Sequence, residues 1–139
     1  MNKVHFLSNS CEWETPLNFF QKYNEIYNFT LDTCASNNNA KCSKYFTKET
    51  NGLLQDWSKD ICWMNPPYGR EIKNWVKKAY ESNSTVVCLL PARTDTKWFH
   101  EYCLKGKIEF IKGRLKFNNN KNSAPFPSMI VIFEPKSIK

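Results

Sequence analysis

A chain of 139 residues falls within the roughly 100–200 residues of one domain with a single core, which argues against a two-domain enzyme. Its composition, 41% apolar and 24% charged with 10 Phe, 6 Tyr and 5 Trp, excludes a disordered chain. No apolar run approaches the roughly 20 residues of a membrane span, and Met1-Asn2-Lys3-Val4-His5 opens no signal peptide, so a soluble, cytoplasmic protein is expected.

The net charge of +7 is lopsided: residues 1–65 sum to −1 and residues 66–139 to +8. All three arginines, Arg70, Arg93 and Arg114, lie in the second half at apparent loops. A basic half beside a neutral one fits a polyanion on one face, although a solvated lysine-rich surface accounts for the charge equally well. The six cysteines, Cys11, Cys34, Cys42, Cys62, Cys88 and Cys103, form no CxxC pair. Reduced, mostly buried thiols are therefore expected, and no metal site.

In chain order, Thr15-Pro16 has the form of an N-cap followed by proline at the first helical position, and Leu17, Phe20, Tyr23 and Tyr27 recur at helical spacing. A first helix is predicted at about 16–27. Phe29 to Cys34 reads as a short buried strand with Asp32 near its C-terminal end, followed by turn chemistry at Ser36-Asn37-Asn38-Asn39. Residues 40–60 offer a candidate strand near Tyr45-Phe46 and a loop through Asn51-Gly52. Ile61 to Met64 is a strand stopped by Asn65-Pro66-Pro67, because proline cannot donate to a ladder.

Ile72, Trp75, Val76, Ala79 and Tyr80 mark an amphipathic helix over 71–81. Val86 to Leu90 is a continuous apolar strand ending at Pro91, and Trp98, Phe99 and Tyr102 mark a helix at about 95–104 capped by Thr94 or Asp95. Ile108 to Ile111, Leu115 to Phe117 and Met129 to Phe133 then look like strands joined without helices, around an Asn/Lys-rich loop at 118–123. The alternation predicts an α/β fold: a single domain with a mostly parallel sheet, covered on both faces and closed by a C-terminal antiparallel hairpin.

Ligands of an open α/β sheet bind outside the C-terminal ends of its strands, which places Asp32, Asn65 and Arg93 along one crevice. The most specific signal is Asn65-Pro66-Pro67-Tyr68-Gly69 directly after a strand. A bare Pro-Pro pair would be a rigid turn; here four residue types agree with one mechanism, methylation of a planar exocyclic amine. Such a nitrogen is a poor nucleophile because its lone pair is delocalised into the ring. Two acceptors aimed at the amine hydrogens, the Asn65 side-chain oxygen and the Pro66 main-chain carbonyl, would draw it towards tetrahedral geometry. Pro66 and Pro67 hold the corner rigid with two fixed φ angles, Tyr68 would stack on the ring, and no base with a tuned pKa is needed.

The chain resembles the phage-type DNA adenine-N6 methyltransferases (Dam-like) from Trp13 to Phe133. The matching stretches are Trp13-Glu14-Thr15-Pro16, Leu31-Asp32-Thr33-Cys34-Ala35, Gly52-Leu53 with Trp57, Asn65 to Gly69, Trp75 to Ala79, Leu90 to His100 and Gly113-Arg114-Leu115-Lys116-Phe117. The resemblance implies a Rossmann-like methyltransferase sheet and S-adenosylmethionine as cofactor. Trp13, Thr15 and Pro16 would cover its methionine end, Asp32 would contact its ammonium group, and Asp56 would stand near its adenine. Two departures stand out: the glycine-rich cofactor loop is reduced to Ala35-Ser36-Asn37, leaving Ala35 as its cofactor contact, and no second strand offers an acidic ribose ligand.

Double-stranded DNA is the implied partner, with the target adenine flipped out of the stack and Arg93, Lys97, Arg114 and Lys116, with Phe117, on the DNA face. A phage or prophage protein in the bacterial cytoplasm, acting as a monomer or homodimer, is the matching expectation. Only 32 residues lie between Asp32 and Asn65, so site choice falls to loops such as 93–97 and 114–127, or to a second subunit. Asn65 to Tyr68 alone would also suit an RNA guanine or a protein glutamine. A non-catalytic DNA-binding protein that kept the fold and a zinc protein using His5 or His100 are the readings of other classes.

Overall fold

Unbroken apolar runs belong in the middle of a sheet and mixed ones at its edge, and the strands sort accordingly. The computed structural model describes residues 14–117 and 123–136. In chain order the elements are α1 (Leu17–Tyr27), β1 (Leu31–Asp32), a 3-10 turn (Gly52–Leu54), β2 (Ile61–Met64), α2 (Ile72–Glu81), β3 (Thr85–Pro91), α3 (Lys97–Glu101), a second 3-10 turn (Cys103–Lys105), β4 (Lys107–Phe110) and β5 (Ser128–Phe133). The sheet order is β1-β2-β3-β5-β4. All six residues of β5 are buried, whereas Lys107 and Phe110 of the edge strand β4 are exposed.

The expected mostly parallel sheet is corrected to a mixed one. β1 pairs with β2 and β2 with β3 in parallel, but β5 runs antiparallel to both β3 and β4. The reversed strand is inserted between β3 and β4, so it contributes two antiparallel ladders where a terminal hairpin would contribute one. Leu115 to Phe117 is no strand; the segment crosses the sheet face instead and buries Phe117.

Alternating side chains give the sheet two cores. Val86, Cys88 and Leu90 of β3 and Met129 and Val131 of β5 pack with Trp75, Val76 and Ala79 of α2 and with Trp98 and Phe99 of α3. Val87, Leu89, Ile130 and Ile132 face the other way, towards Phe20 and Tyr23 of α1 and Phe117 and Ala124. Trp63 is central to this second core, with Phe20 edge-on at 5.2 Å between ring centroids and Phe29 at 5.5 Å. In the first core the Trp57 indole N–H donates to the Gly52 carbonyl at 2.9 Å, and the ring stacks on Trp75.

Local boundaries move for identifiable reasons. β1 shortens to two residues, extended by a parallel bridge between Asp32 and Tyr45. α3 begins at Lys97 and is capped by Thr96, whose Oγ1 accepts from Phe99 N at 3.2 Å, not by Thr94 or Asp95. α1 begins at Leu17, one residue later than Thr15 as cap would give, with Pro16 in the cap position and therefore no side-chain cap; the Thr15 hydroxyl accepts from Asn65 Nδ2. Among the described residues no helix is long and apolar enough to cross a membrane.

Candidate active site

Parallel strands leave their carboxyl ends on one side of a sheet, and here β1 and β2 deliver Asp32 and Asn65 to the same cavity. In the β1–β2 register Asp32 sits opposite Trp63, two residues before Asn65. The cavity has a volume of about 910 Å³ and is lined by Asp32, Asn65, Pro66, Pro67 and Thr15 among others. Residues of the loop 34–41, residues between 47 and 53, and Glu71 and Trp75 complete its lining.

Asp32 is 3% exposed, so its charge has lost most of its hydration. Two backbone N–H groups replace part of it: Lys41 N donates to Oδ2 at 2.9 Å and Cys34 N to Oδ1 at 3.3 Å. Burial nevertheless wins and pushes the carboxyl up to about 6, against those two hydrogen bonds and the positive charge of Lys41. The Lys41 ammonium lies 3.6 Å from Glu14 and 3.3 Å from the Asn39 carbonyl, also in the cavity wall. A buried carboxylate still short of charge compensation is a site for a cationic ligand group.

The Asn65 corner follows directly from the sequence. Pro66 and Pro67 end the β2 ladder, and Gly69, at φ 138°, makes the turn that leads into α2. Asn65 Nδ2 donates to Thr15 Oγ1 at 3.0 Å, and the Tyr68 hydroxyl donates towards Asn65 Oδ1 at 3.0 Å and the Leu89 carbonyl at 3.1 Å. Tyr68 is 4% exposed, edge-on to Phe117 and Phe126 at 6.4 and 5.6 Å between centroids. Burial holds its phenol protonated, far above the ordinary value, and the charge of Arg93 acts the other way, so that guanidinium is within electrostatic reach of the ring.

Other predicted site residues are distributed unevenly. Thr15 and Ala35 line the cavity; Asp56 does not, because it is exposed and its carboxylate accepts from Ser58 N at 2.9 Å. Trp13 lies outside the described residues. Arg93, Lys97, Arg114 and Lys116 are all exposed, whereas Phe117 is 2% exposed and belongs to the core, not to an outer face. Pro16, Phe19 and Lys22 of the α1 region join Arg114, Leu115 and Lys116 around a groove of about 580 Å³.

Several lining residues escaped the sequence reading: Lys41, Glu49 and Glu71 in the cavity and Lys22 in the groove. Lys41 had one available signal, its place just after the turn that follows Asp32; Lys22 had only its exposed helical position. Cys34, Cys42, Cys62, Cys88 and Cys103 are free thiols, and burial pushes Cys62 and Cys103 up to about 12, so neither supplies a thiolate nucleophile. Among the described residues no group of three or more His, Cys, Asp or Glu could hold a metal ion.

Fold and site together define an α/β protein whose ligand cavity opens at the carboxyl ends of two parallel strands, with an Asn-Pro-Pro corner in its wall. Comparison with known sequences is more specific. The sequence model of the DNA N-6-adenine-methyltransferase (Dam) family matches residues 7–138, and the chain belongs to that family. A DNA N-6-adenine-methyltransferase of Haemophilus phage HP1 is 36% identical over 138 residues, covering 90% of this chain and 79% of the relative. One from Escherichia phage T1 is 32% identical over 145 residues, covering 82% of this chain and 60% of the relative.

Proposed function

We propose that this chain methylates the exocyclic N6 of adenine in double-stranded DNA, using S-adenosylmethionine held in the sheet-end cavity of a single Rossmann-like methyltransferase domain over residues 1–139. The observation that carries the site assignment is the convergence of Asp32 and Asn65, from neighbouring strands, on that one cavity. Its volume lies within the roughly 300–1,000 Å³ typical of small-molecule sites. The donor set fits the cofactor: Asp32 for the ammonium, the Lys41 ammonium for the carboxylate, and Trp75 with Leu53 as apolar wall for the adenine ring. Glu49 and Glu71, also in the lining, are the carboxylates available to a ribose hydroxyl. When bound, S-adenosylmethionine supplies a methyl group on a positively charged sulfur.

The chain's own contribution to the chemistry is polar preorganisation. Asn65 Oδ1 and the Pro66 carbonyl accept from the two N6 hydrogens and localise the nitrogen lone pair towards the methyl donor. Neither is a base; they act by hydrogen bonding, at positions fixed by the proline-locked corner and by the hydroxyls of Thr15 and Tyr68, and the proton that the nitrogen sheds once the methyl group has left sulfur passes to solvent. Tyr68, expected to stack on the substrate ring, is instead buried on Phe117 and Phe126 outside the cavity lining, and acts through its hydroxyl on Asn65 Oδ1. Reaching N6 in a duplex requires flipping the adenine at a cost of a few kcal/mol. Phosphate contacts from Lys22, Arg114 and Lys116 in the groove and from exposed Arg93 and Lys97 offset that cost. One copy carries Asp32, Asn65 and these cations together, so a monomer suffices as the catalytic unit, acting in the bacterial cytoplasm where the DNA is.

The test is direct. The chain is expressed in cells whose DNA lacks N6-methyladenine, and modified bases are sequenced beside an Asn65→Ala control. N6-methyladenine with the wild type only supports the reading; a modified RNA base or protein glutamine, with unmodified DNA, replaces the substrate. No modification and no cofactor binding by calorimetry would leave a DNA-binding protein without catalysis.

A further inference from the structure

An amide has one accepting end and one donating end, and only the accepting end suits a substrate amine. If the Asn65 side chain turned over about its last bond, it would aim its own NH₂ at the adenine NH₂, donor against donor. Something must choose the end. The Tyr68 hydroxyl reaches Asn65 Oδ1 at 3.0 Å, but the Leu89 carbonyl, 3.1 Å away, competes for its single proton, so that contact alone holds the amide weakly.

Asn65 also contacts Thr15, whose Oγ1 takes the hydrogen bond from Asn65 Nδ2 at 3.0 Å across 50 residues of sequence. Thr15 is 4% exposed, so water does not substitute for it. The cap position of α1 is Pro16, which has no side chain able to cap, so Thr15 stands one residue outside the helix cap and its hydroxyl contacts the Asn65 amide.

Building on the methyltransferase reading, we propose that Thr15 is a positioning residue for the methyl-transfer step: by holding the Nδ2 end of Asn65 it turns the Oδ1 end towards Tyr68 and the substrate amine. This differs from the cofactor contact that the family resemblance implies for the same threonine, because the hydroxyl acts through Asn65 and not on the cofactor.

The experiment compares Thr15→Val, which keeps the shape without the hydroxyl, with Thr15→Ser, which keeps the hydroxyl. For each, kcat, cofactor Kd, thermal midpoint and hydrogen exchange of the Asn65 side-chain amide are measured on the full chain. Thr15→Val is expected to lower kcat about ten- to hundredfold, the scale of a small misplacement of a reacting group, with cofactor Kd changed less than about twofold. Its Asn65 amide protons should exchange faster, and Thr15→Ser should recover both properties. A further arm uses Asn65→Asp, whose carboxylate is symmetric and needs no choice of end; there the Thr15→Val penalty on kcat should vanish.

Loss of cofactor affinity at unchanged kcat in Thr15→Val would make Thr15 a cofactor contact and overturn the proposal. Equal defects in Val and Ser with a lowered thermal midpoint would make it a packing residue. Should Asn65→Asp be inactive by itself, the kcat-against-Kd split and the amide exchange decide the matter. The exchange arm needs no turnover, so it separates failure of this proposal from failure of the methyltransferase reading.

Discussion

Asp32 offers the sharpest quantitative test, because burial has moved its carboxyl into an accessible pH range. Raising it from 3.8 to about 6 means that ionising it in the folded protein costs about 3 kcal/mol more than in the unfolded chain, at 1.36 kcal/mol per pKa unit. The sign follows from proton counting: between these two values the folded state binds more protons than the unfolded one, so stability falls as pH rises through this window and is level above it. An ammonium group of the cofactor reverses the preference, since it pairs only with the ionised form. At pH 5 about one Asp32 in ten is ionised, so cofactor affinity should rise about tenfold from pH 5 to 7. The cofactor's α-amino group, with an ordinary value of about 7.7–8.0, stays charged over that interval.

Calorimetric titration with S-adenosylmethionine at pH 5, 6 and 7, on wild type and Asp32→Asn, reads this directly. The variant should bind more weakly at pH 7 by about 1.5–3 kcal/mol, the value of a hydrogen bond to a charged group, and should show no rise from pH 5. A wild-type affinity that is flat from pH 5 to 7 and equal to that of Asp32→Asn would refute the ammonium contact.

Asn65→Ala should lower kcat by about 10²–10³, the scale for one preorganised polar group, while leaving cofactor affinity unchanged in calorimetry. Tyr68→Phe should lose several-fold in kcat, because the hydroxyl that reaches Asn65 Oδ1 goes with it; full retention in a methylation assay would reduce Tyr68 to its ring. Gly52→Ala would drive its new Cβ into the Thr33 carbonyl oxygen and against the Trp75 ring, so it should cost about 1–3 kcal/mol in denaturant unfolding. Alanine at Lys22, Arg114 or Lys116 should each flatten the salt dependence of DNA binding by about 0.9 in log–log slope, whereas Lys73→Ala and Lys77→Ala, on the exposed face of α2, should leave it unchanged.

The elements that local pattern decides were legible in the sequence: β2, β3, β5 and α2 appear within one or two residues of their apolar runs. The sheet order was not, because periodicity says which face a residue occupies and nothing about which strand is its neighbour. β5 looked like half of a terminal hairpin, yet its six buried residues place it between two strands. The site divides in the same way. Asp32 and Asn65 stand at strand ends, where sequence can point; Lys41 reaches Asp32 only because the loop between them folds back. Phe117 looked like a surface residue among basic ones, and only the packing of its segment on Tyr68 moved it inside. Thr15 looked like a helix cap, but the cap position falls one residue later on Pro16, and its hydroxyl meets Asn65, 50 residues away.

The short span between Asp32 and Asn65 is almost fully spent on structure. The loop 34–41 walls the cavity, Lys44 and Phe46 hydrogen-bond the backbone of Asp32, and Gly52 and Trp57 close the first core. The segments beyond β3 and before β5 are joined: Ala92 N–H, at the end of β3, donates to the Pro127 carbonyl at 2.9 Å. The neighbouring Arg93 also acts electrostatically on Tyr68. A base-reading contact made by either segment therefore has a short physical route to the corner that holds Asn65.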